Sequence, residues 1–327
     1  MLIRLIALAV CAILLAQIPF IAALGLSALP LASLLGLLYG AATTHNTQSA
    51  ATTLNFCQQK LLRLGIILFG FNLSFQQIAA IGWRTVLLDA IVIIFVLSIG
   101  IYLGVKLLRL PKEIATLTAI GSAVCGAAAI MAAEPVVRAK EKDVAVAVGT
   151  VVVFGTLAMF IYPVIYRFTA MEPSLFGIYI GSTVHEVAQA IAAGQSISGE
   201  AMQFAVVAKL IRVMLLAPVI IALSALLFRA PAGAHTQTRI AIPWFVLGFI
   251  AAAAINSLIT LPEFVLEALK WTSQLALTLA MTALGVKTRW SDIRQAGAKP
   301  IALSLILFIV LLAGGFGLNA WMLEATI

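Results

Sequence analysis

The chain reads as an all-α polytopic membrane protein of about eleven hydrophobic segments, with inverted repeats and two broken or re-entrant helices. Three observations carry that reading. First, 63% of the 327 residues are hydrophobic and only 10% are charged, with a mean hydropathy of +1.14, where a soluble domain is about half apolar and a quarter charged. Second, runs such as "TVLLDAIVIIFVLSIGIYLGV", Thr85 to Val105, reach the roughly 20 residues a helix needs to cross hydrocarbon. Third, stretches of the chain repeat at separations that imply inverted copies, an arrangement typical of secondary transporters.

Hydropathy, punctuated by Pro, Gly and charge, places the segments near 4–23, 31–48, 58–80, 85–107, 113–133, 143–166, 175–194, 201–228, 241–260, 264–285 and 299–323, in one transmembrane domain spanning 1–327. The first carries one basic residue, Arg4, ahead of its apolar run, as a signal peptide does. Its length and the spans that follow at once favour an uncleaved first helix. With the N-terminus in the cytoplasm, Lys60 and Arg63, then Lys106, Arg109 and Lys112, then Arg229 and Arg239, then Lys287, Arg289, Arg294 and Lys299 all fall inside. Glu263 and Glu324 fall outside, and the C-terminus is periplasmic. Cytoplasmic loops are the Lys/Arg-rich ones, so topology explains the net charge of +8 and a nucleic-acid partner is excluded. One loop resists. Arg138, Lys140 and Lys142, in the stretch 134–143, would lie outside if segment 113–133 crossed fully.

The repeats bear on that loop. Leu62 to Thr85 matches Leu277 to Pro300 at a constant offset of 215, pairing Gly70 with Gly285, Gly82 with Gly297 and, further on, Gly100 with Gly315. "GSAVCGAAAI" from Gly121 matches "GSTVHEVAQAI" from Gly181 through Gly-Ser-x-Val. Repeat one is expected over about 31–166 and repeat two, permuted, over about 175–323. If segments 113–133 and 175–194 dip in from opposite faces with polar tips at the midplane, the basic loop returns to the cytoplasm and every pair is inverted. Helices that cross at unwound breaks are the competing geometry. Non-helical backbone at that depth needs a protein or cavity lining.

"LGIILFGFNLSFQQI", "AIGSAVCGAAAI", "STVHEVAQ" and "VVAKLIRVMLLAPVII" resemble the bacterial inner-membrane proteins of the YeiH type, a family described as sulfate exporters, over nearly the whole chain. More distantly, the order of helices is similar to the bile-acid sodium symporter and sodium/proton antiporter folds, in which a panel domain faces a core domain with two broken helices. The second broken element here precedes its "GVKTRW" helix, so ion-binding residues do not transfer directly.

Chemistry-bearing residues concentrate at the two breaks and on one later helix. Gly121, Ser122, Cys125 and Gly126 let backbone approach a solute, and a helix starting there aims free N–H groups at an anion. The plain alternative is tight helix packing through small residues. Gly181, Ser182 and Thr183 form the twin, and two facing breaks make a site at a repeat interface. Lys209 and Arg212, three residues apart inside an apolar segment, share a helix face. A charge at such depth costs about 2.5–3.5 kcal/mol without a partner. They are read as fixed cations for the anion, with Arg212 able to fork two oxygens. His185 and Glu186 offer a place for a coupling proton, with a structural ion pair from Glu186 to Lys209 or Arg212 as the alternative reading.

Enzyme readings rank last. "HEVAQ" lacks the second ligand of H-e-x-x-H because Gln189 stands there, and the other histidines are His45 and His235, so no zinc site is complete. Cys11, Cys57 and Cys125 have no metal or disulfide spacing. No metal or other cofactor is expected. The expectation is a secondary transporter of a small anion, sulfate or a related sulfur oxyanion, with a passive anion channel as the alternative and an intramembrane hydrolase, using Ser122 or Cys125 with His185, ranked behind it. Its expected partners are that anion, the lipid bilayer and, as a homodimer, a second copy of the chain.

Overall fold

The computed structural model describes residues 1–23, 26–43, 48–226, 244–259, 261–288 and 297–323. Arg229, Arg239, Arg289, Arg294, Glu324, His45 and His235, on which parts of the expected topology and the enzyme reading rest, lie outside the described residues. With no water to bond backbone groups in hydrocarbon, an apolar chain must close its hydrogen bonds within each segment. Helices result throughout, and among the described residues there is no strand.

The helices sort into two groups by packing. In the first, α1 (Leu2–Ala16), α2 (Ala28–Ala42), α3 (Leu62–Phe69), α11 (Trp244–Leu258) and α12 (Glu263–Lys287) pack on one another. The α2–α12 contact is close because both faces are small: a Cβ on Gly36 would stand 2.3 Å from the Thr282 carbonyl oxygen, and one on Gly285 2.1 Å from that of Ser33. In the second group are α4 (Ile81–Leu107), α5 (Lys112–Ala123), α6 (Ala127–Val137), α7 (Glu141–Tyr166), α8 (Pro173–Thr183), α9 (Val187–Gln195), α10 (Gly199–Leu226) and α13 (Ala298–Met322).

Both short helix pairs of this second group are re-entrant hairpins. α8 and α9 lie along the same stretch of α10, since Gly177 from one arm and Gly194 from the other both press on Ala201. Gly181 presses on Ala205 and Ala208, so α8 runs parallel to α10 and the chain must turn back at 184–186. In the other pair the chain reverses through 124–126, bringing Ile130 of α6 against Gly121 of α5. The first half of α10 packs on α8 and α9, and its second half, beyond Leu215, packs on α6. The hairpins therefore enter from opposite ends and meet midway along α10. Arg138, Lys140 and Lys142 follow α6 and so share an end of the molecule with Lys106 and Lys112.

The offset repeat also has a spatial meaning. Gly100 of α4 meets Ala119 and Leu307, while Gly104 meets Ala115 and Leu303. As numbering rises along α4 it falls along α13, so these corresponding helices are antiparallel. Each backs one hairpin, Gly100 against α5 and its counterpart Gly315 against Thr183 and Tyr179 of α8. Both helices begin at a glycine of positive φ, +70° at Gly82 and +78° at Gly297, and both contain a wide π turn, Leu103–Leu107 and Val310–Gly314. Trp83 and Trp321, both exposed, fall at the same end, as an interfacial aromatic belt would have them.

The expected segment 58–80 is not one span. α3 stops in a short 3-10 turn at Gly70–Asn72, Leu73 is extended, and the next helix starts afresh. Asn72 turns its Nδ2 back onto the Phe69 carbonyl, the local competition by which short polar side chains end helices.

Candidate functional site

At each hairpin tip one arm ends and the other begins, so two helix C-termini and two N-termini meet in the middle of the second bundle. A helix end leaves four backbone groups unpaired, carbonyls with partial negative charge at the C-terminus and N–H groups with partial positive charge at the N-terminus. Each kind has found its own partner.

The carbonyl ends of α5 and α8 are held by the two cations of α10. Lys209 Nζ donates to the Val124 carbonyl at 2.9 Å and also to that of Val184. Arg212 donates from Nε to Ala123 O at 2.7 Å, from Nη2 to Ser122 O at 3.0 Å and from Nη1 to Ser182 O. Both side chains have no exposed area. The guanidinium fork, expected from the sequence to hold two oxygens of an anion, here donates to backbone carbonyls of both hairpins. A hydrogen bond to a charged group is worth about 1.5–3 kcal/mol, so this pair of residues is a main tie between the tips.

The N-terminal ends of α6 and α9 converge on Glu186. Its Oε1 accepts from Ala127 N, the first helical N–H of α6, at 3.3 Å. The same side chain caps its own helix α9 in a capping box, while Glu186 N donates to Gln189 Oε1 at 3.2 Å. Gln189 in turn donates from Nε2 to Val152 O at 3.3 Å and to Thr156 Oγ1 at 3.5 Å. Room for this comes from small neighbours: a Cβ on Gly126 would lie 2.5 Å from Glu186 Cγ. The carboxylate thus bonds backbone N–H groups rather than Lys209 or Arg212, although Lys209 lies in its electrostatic range, as does Lys287 of α12. Unlike the cations, Glu186 is only partly buried.

The other sequence-predicted residues cluster here with different duties. Cys125 is buried at the first tip, in electrostatic range of Lys209, Arg212 and Glu186. Thr183 accepts from the Tyr162 hydroxyl at 2.8 Å and donates to Tyr179 O. Ser182 Oγ donates to the same carbonyl at 3.1 Å and accepts from Asn319 Nδ2 at 3.2 Å. Gly121 and Gly181 lie just before the tips as packing positions, against Ile130 and Val151 and against α10. Ser122 Oγ has no hydrogen-bond partner. His185 is fully buried with its ring centroid 6.3 Å from that of Phe308, and neither ring nitrogen is bonded. It does not orient Glu186 in this arrangement.

Sequence reasoning passed over Asp89. It lies in α4 with no exposed area, both carboxyl oxygens lack a hydrogen-bond donor, and Arg212 and Lys209 are in electrostatic range. The signal was available, since an acid inside an apolar span costs about 2.5–3.5 kcal/mol unless something compensates it. Among the described residues no cluster of His, Cys, Asp and Glu could hold a metal ion. A cleft of about 300 Å³, lined by Gln17, Ser27, Gln195, Ser196, Trp271 and Gln274, opens where the end of α9 meets the first group of helices.

A family model described as "Conserved hypothetical protein 698" matches residues 1–304. The chain belongs to this family. It is 45% identical over 307 residues to the UPF0324 inner membrane protein YeiH of Escherichia coli K12, covering 93% of this chain and 88% of that protein. It is 45% identical over 319 residues to a UPF0324 membrane protein of Pseudomonas aeruginosa, with 94% and 90% covered, and 42% identical over 308 residues to one of Bacteroides thetaiotaomicron, with 92% and 91% covered. No solved structure matches. Relatives named as inner membrane proteins, together with the apolar helices, place the chain among multi-pass proteins of the bacterial inner membrane.

Proposed function

We propose that the chain is a secondary transporter of a small oxyanion, sulfate or a related sulfur oxyanion, that binds where Glu186 now lies, with export as its direction. The observation that supports this most is the convergence of two helix N-termini on a single carboxylate at the meeting point of inverted hairpins. Backbone N–H groups that hold one oxyanion can hold another, and Glu186 is then a tethered competitor. Protonation or displacement of its side chain opens the slot, and Lys287 of the other helical group offers the displaced carboxylate a countercharge. Lys209 supplies fixed positive charge nearby while it anchors the tips. An anion leaving the cell gains about 2.3 kcal/mol per charge per 100 mV of inside-negative potential, so export needs no proton, whereas import would. The end bearing Lys106, Arg138 and Lys142 is the cytoplasmic one on this reading, which puts the N-terminus in the cytoplasm and the C-terminus outside.

Purified protein in liposomes, loaded with labelled sulfate, sulfite or a sulfonate with and without a pH gradient, tests the proposal. Saturable flux that responds to the gradient supports it. Flux that ignores every gradient except that of the anion points to a channel, and no flux of any of these anions overturns it.

A further inference from the structure

The slot at Glu186 leaves one buried charge unexplained. α4 carries Asp89 with no exposed area and without a hydrogen-bond donor on either carboxyl oxygen. A carboxylate accepts at about four lone-pair positions, and burying one with none of them satisfied costs several kcal/mol. The nearby cations do not relieve this by contact. The hydrogen bonds of Arg212 and Lys209 go to five backbone carbonyls at the tips, and those carbonyls are the negative ends of two helix dipoles, each equivalent to about half a charge. Much of the positive charge is therefore already balanced without Asp89.

We infer that Asp89 is a proton-binding site, linked through Lys209 to the anion slot at Glu186. Lys209 lies in electrostatic range of both carboxyl groups, and Arg212 in that of Asp89. The other elements packed on α4 bring no charge near it among the described residues. α5 has Lys112 and Glu113 in its first turn, α13 has Lys299 in its first turn, α11 has none, and α8 presents Tyr179, whose hydroxyl donates to Leu312 O. Two cations and two carboxyl groups thus share the interior. While negative charge sits at the slot, as Glu186 or as a bound oxyanion, Lys209 is satisfied and the Asp89 carboxyl keeps an O–H bond, its proton taken from water. When that negative charge leaves, Asp89 releases the proton and its carboxylate balances the cations. Proton uptake at Asp89 then accompanies anion binding to a slot whose Glu186 is neutral or displaced. This linkage rests on the anion reading, while the proton site itself does not.

Infrared spectroscopy of the full-length protein in nanodiscs tests it. The chain has three aspartates, Asp89, Asp143 and Asp292, so carboxyl carbon-13 labelling of aspartate isolates very few groups. At neutral pH the wild type should show a protonated-carboxyl stretch that shifts on aspartate labelling and is lost in Asp89→Asn, and that in Glu186→Gln, whose empty slot is neutral, is weakened until an anion binds. Absence of a label-sensitive band in the wild type overturns the site even if the variant does not fold, and so does a band that persists in Asp89→Asn. Added sulfite should restore the band in Glu186→Gln. If sulfite binds to Glu186→Gln and the band stays unchanged, the linkage is wrong. If sulfite does not bind, the transport reading fails, and the labelled band alone decides the proton site.

Discussion

The tip at Ser122–Gly126 and the tip at Ser182–Glu186 start alike, as Gly-Ser-x-Val, and both offer the carbonyls of that motif to Lys209 and Arg212. Beyond the valine they part. The first turns through a left-handed glycine, Gly126 at φ +72°, and adds no charged side chain. The second stays extended at Val184 and Glu186 and supplies both His185 and the carboxylate that caps α9 and reaches Ala127 of the other hairpin. The two tips share the backbone that faces the cations and differ in their chemistry: one leaves a vacancy at its N-terminus and the other fills it.

The comparison breaks most severely at the shared cations. Arg212→Ala removes bonds to both tips and leaves Ser122, Ala123 and Ser182 carbonyls unpaired in a dry interior, a loss of about 3–5 kcal/mol by the measure of a broken buried charge interaction. Thermal unfolding in detergent should show it, with Arg212→Lys recovering only part because the fork is lost. A drop no larger than that of Glu186→Gln would mean that the cations do not hold the tips. Next comes Gly126→Ala, which meets a strained φ and drives a methyl to 2.5 Å from Glu186 Cγ. We expect about 2–4 kcal/mol, of which the backbone share is about 1–3, together with altered anion binding. Gly82→Ala and Gly297→Ala combine positive φ with extended ψ but have open space around the new methyl, so each should cost only that backbone share, about 1–3 kcal/mol and nearly equal in the two helices. Unequal costs would show that the long helices have diverged as the tips have. The smallest effect on stability belongs to Glu186→Gln, about 1 kcal/mol for a charged cap made neutral. That variant should flatten the pH dependence of transport, and an unchanged pH profile would assign Glu186 a structural role only.

The same contrast explains what could be read from the chain. Long helices, the two breaks, the antiparallel relation of α4 and α13 and the return of the Arg138–Lys142 loop follow from hydropathy, Gly-Ser-x-Val and the glycine offset, because hydrocarbon leaves few other solutions. The partners of the charges do not follow. Nothing local says that Lys209 bonds Val124, 85 residues away, or that Glu186 caps a helix 59 residues earlier. "HEVAQ" resembles an incomplete zinc motif, whereas Glu-x-x-Gln is the reciprocal half of a helix cap, here with Glu at the N-cap. Asp89 was legible as a misplaced acid, but its significance depends on Arg212 and Lys209 arriving from another helix.

Direct binding of sulfite and sulfate to the purified full-length protein, wild type against Glu186→Gln, tests the competition at the slot. If the anion takes the place of the Glu186 carboxylate at the N-termini of α6 and α9, neutralising that carboxylate should tighten binding by about tenfold, which corresponds to about 1.4 kcal/mol of displaced bonding, and should remove its dependence on pH between mildly acidic and mildly basic solution. Affinity that is equal in the two proteins at every pH, or that disappears in Glu186→Gln, would contradict it.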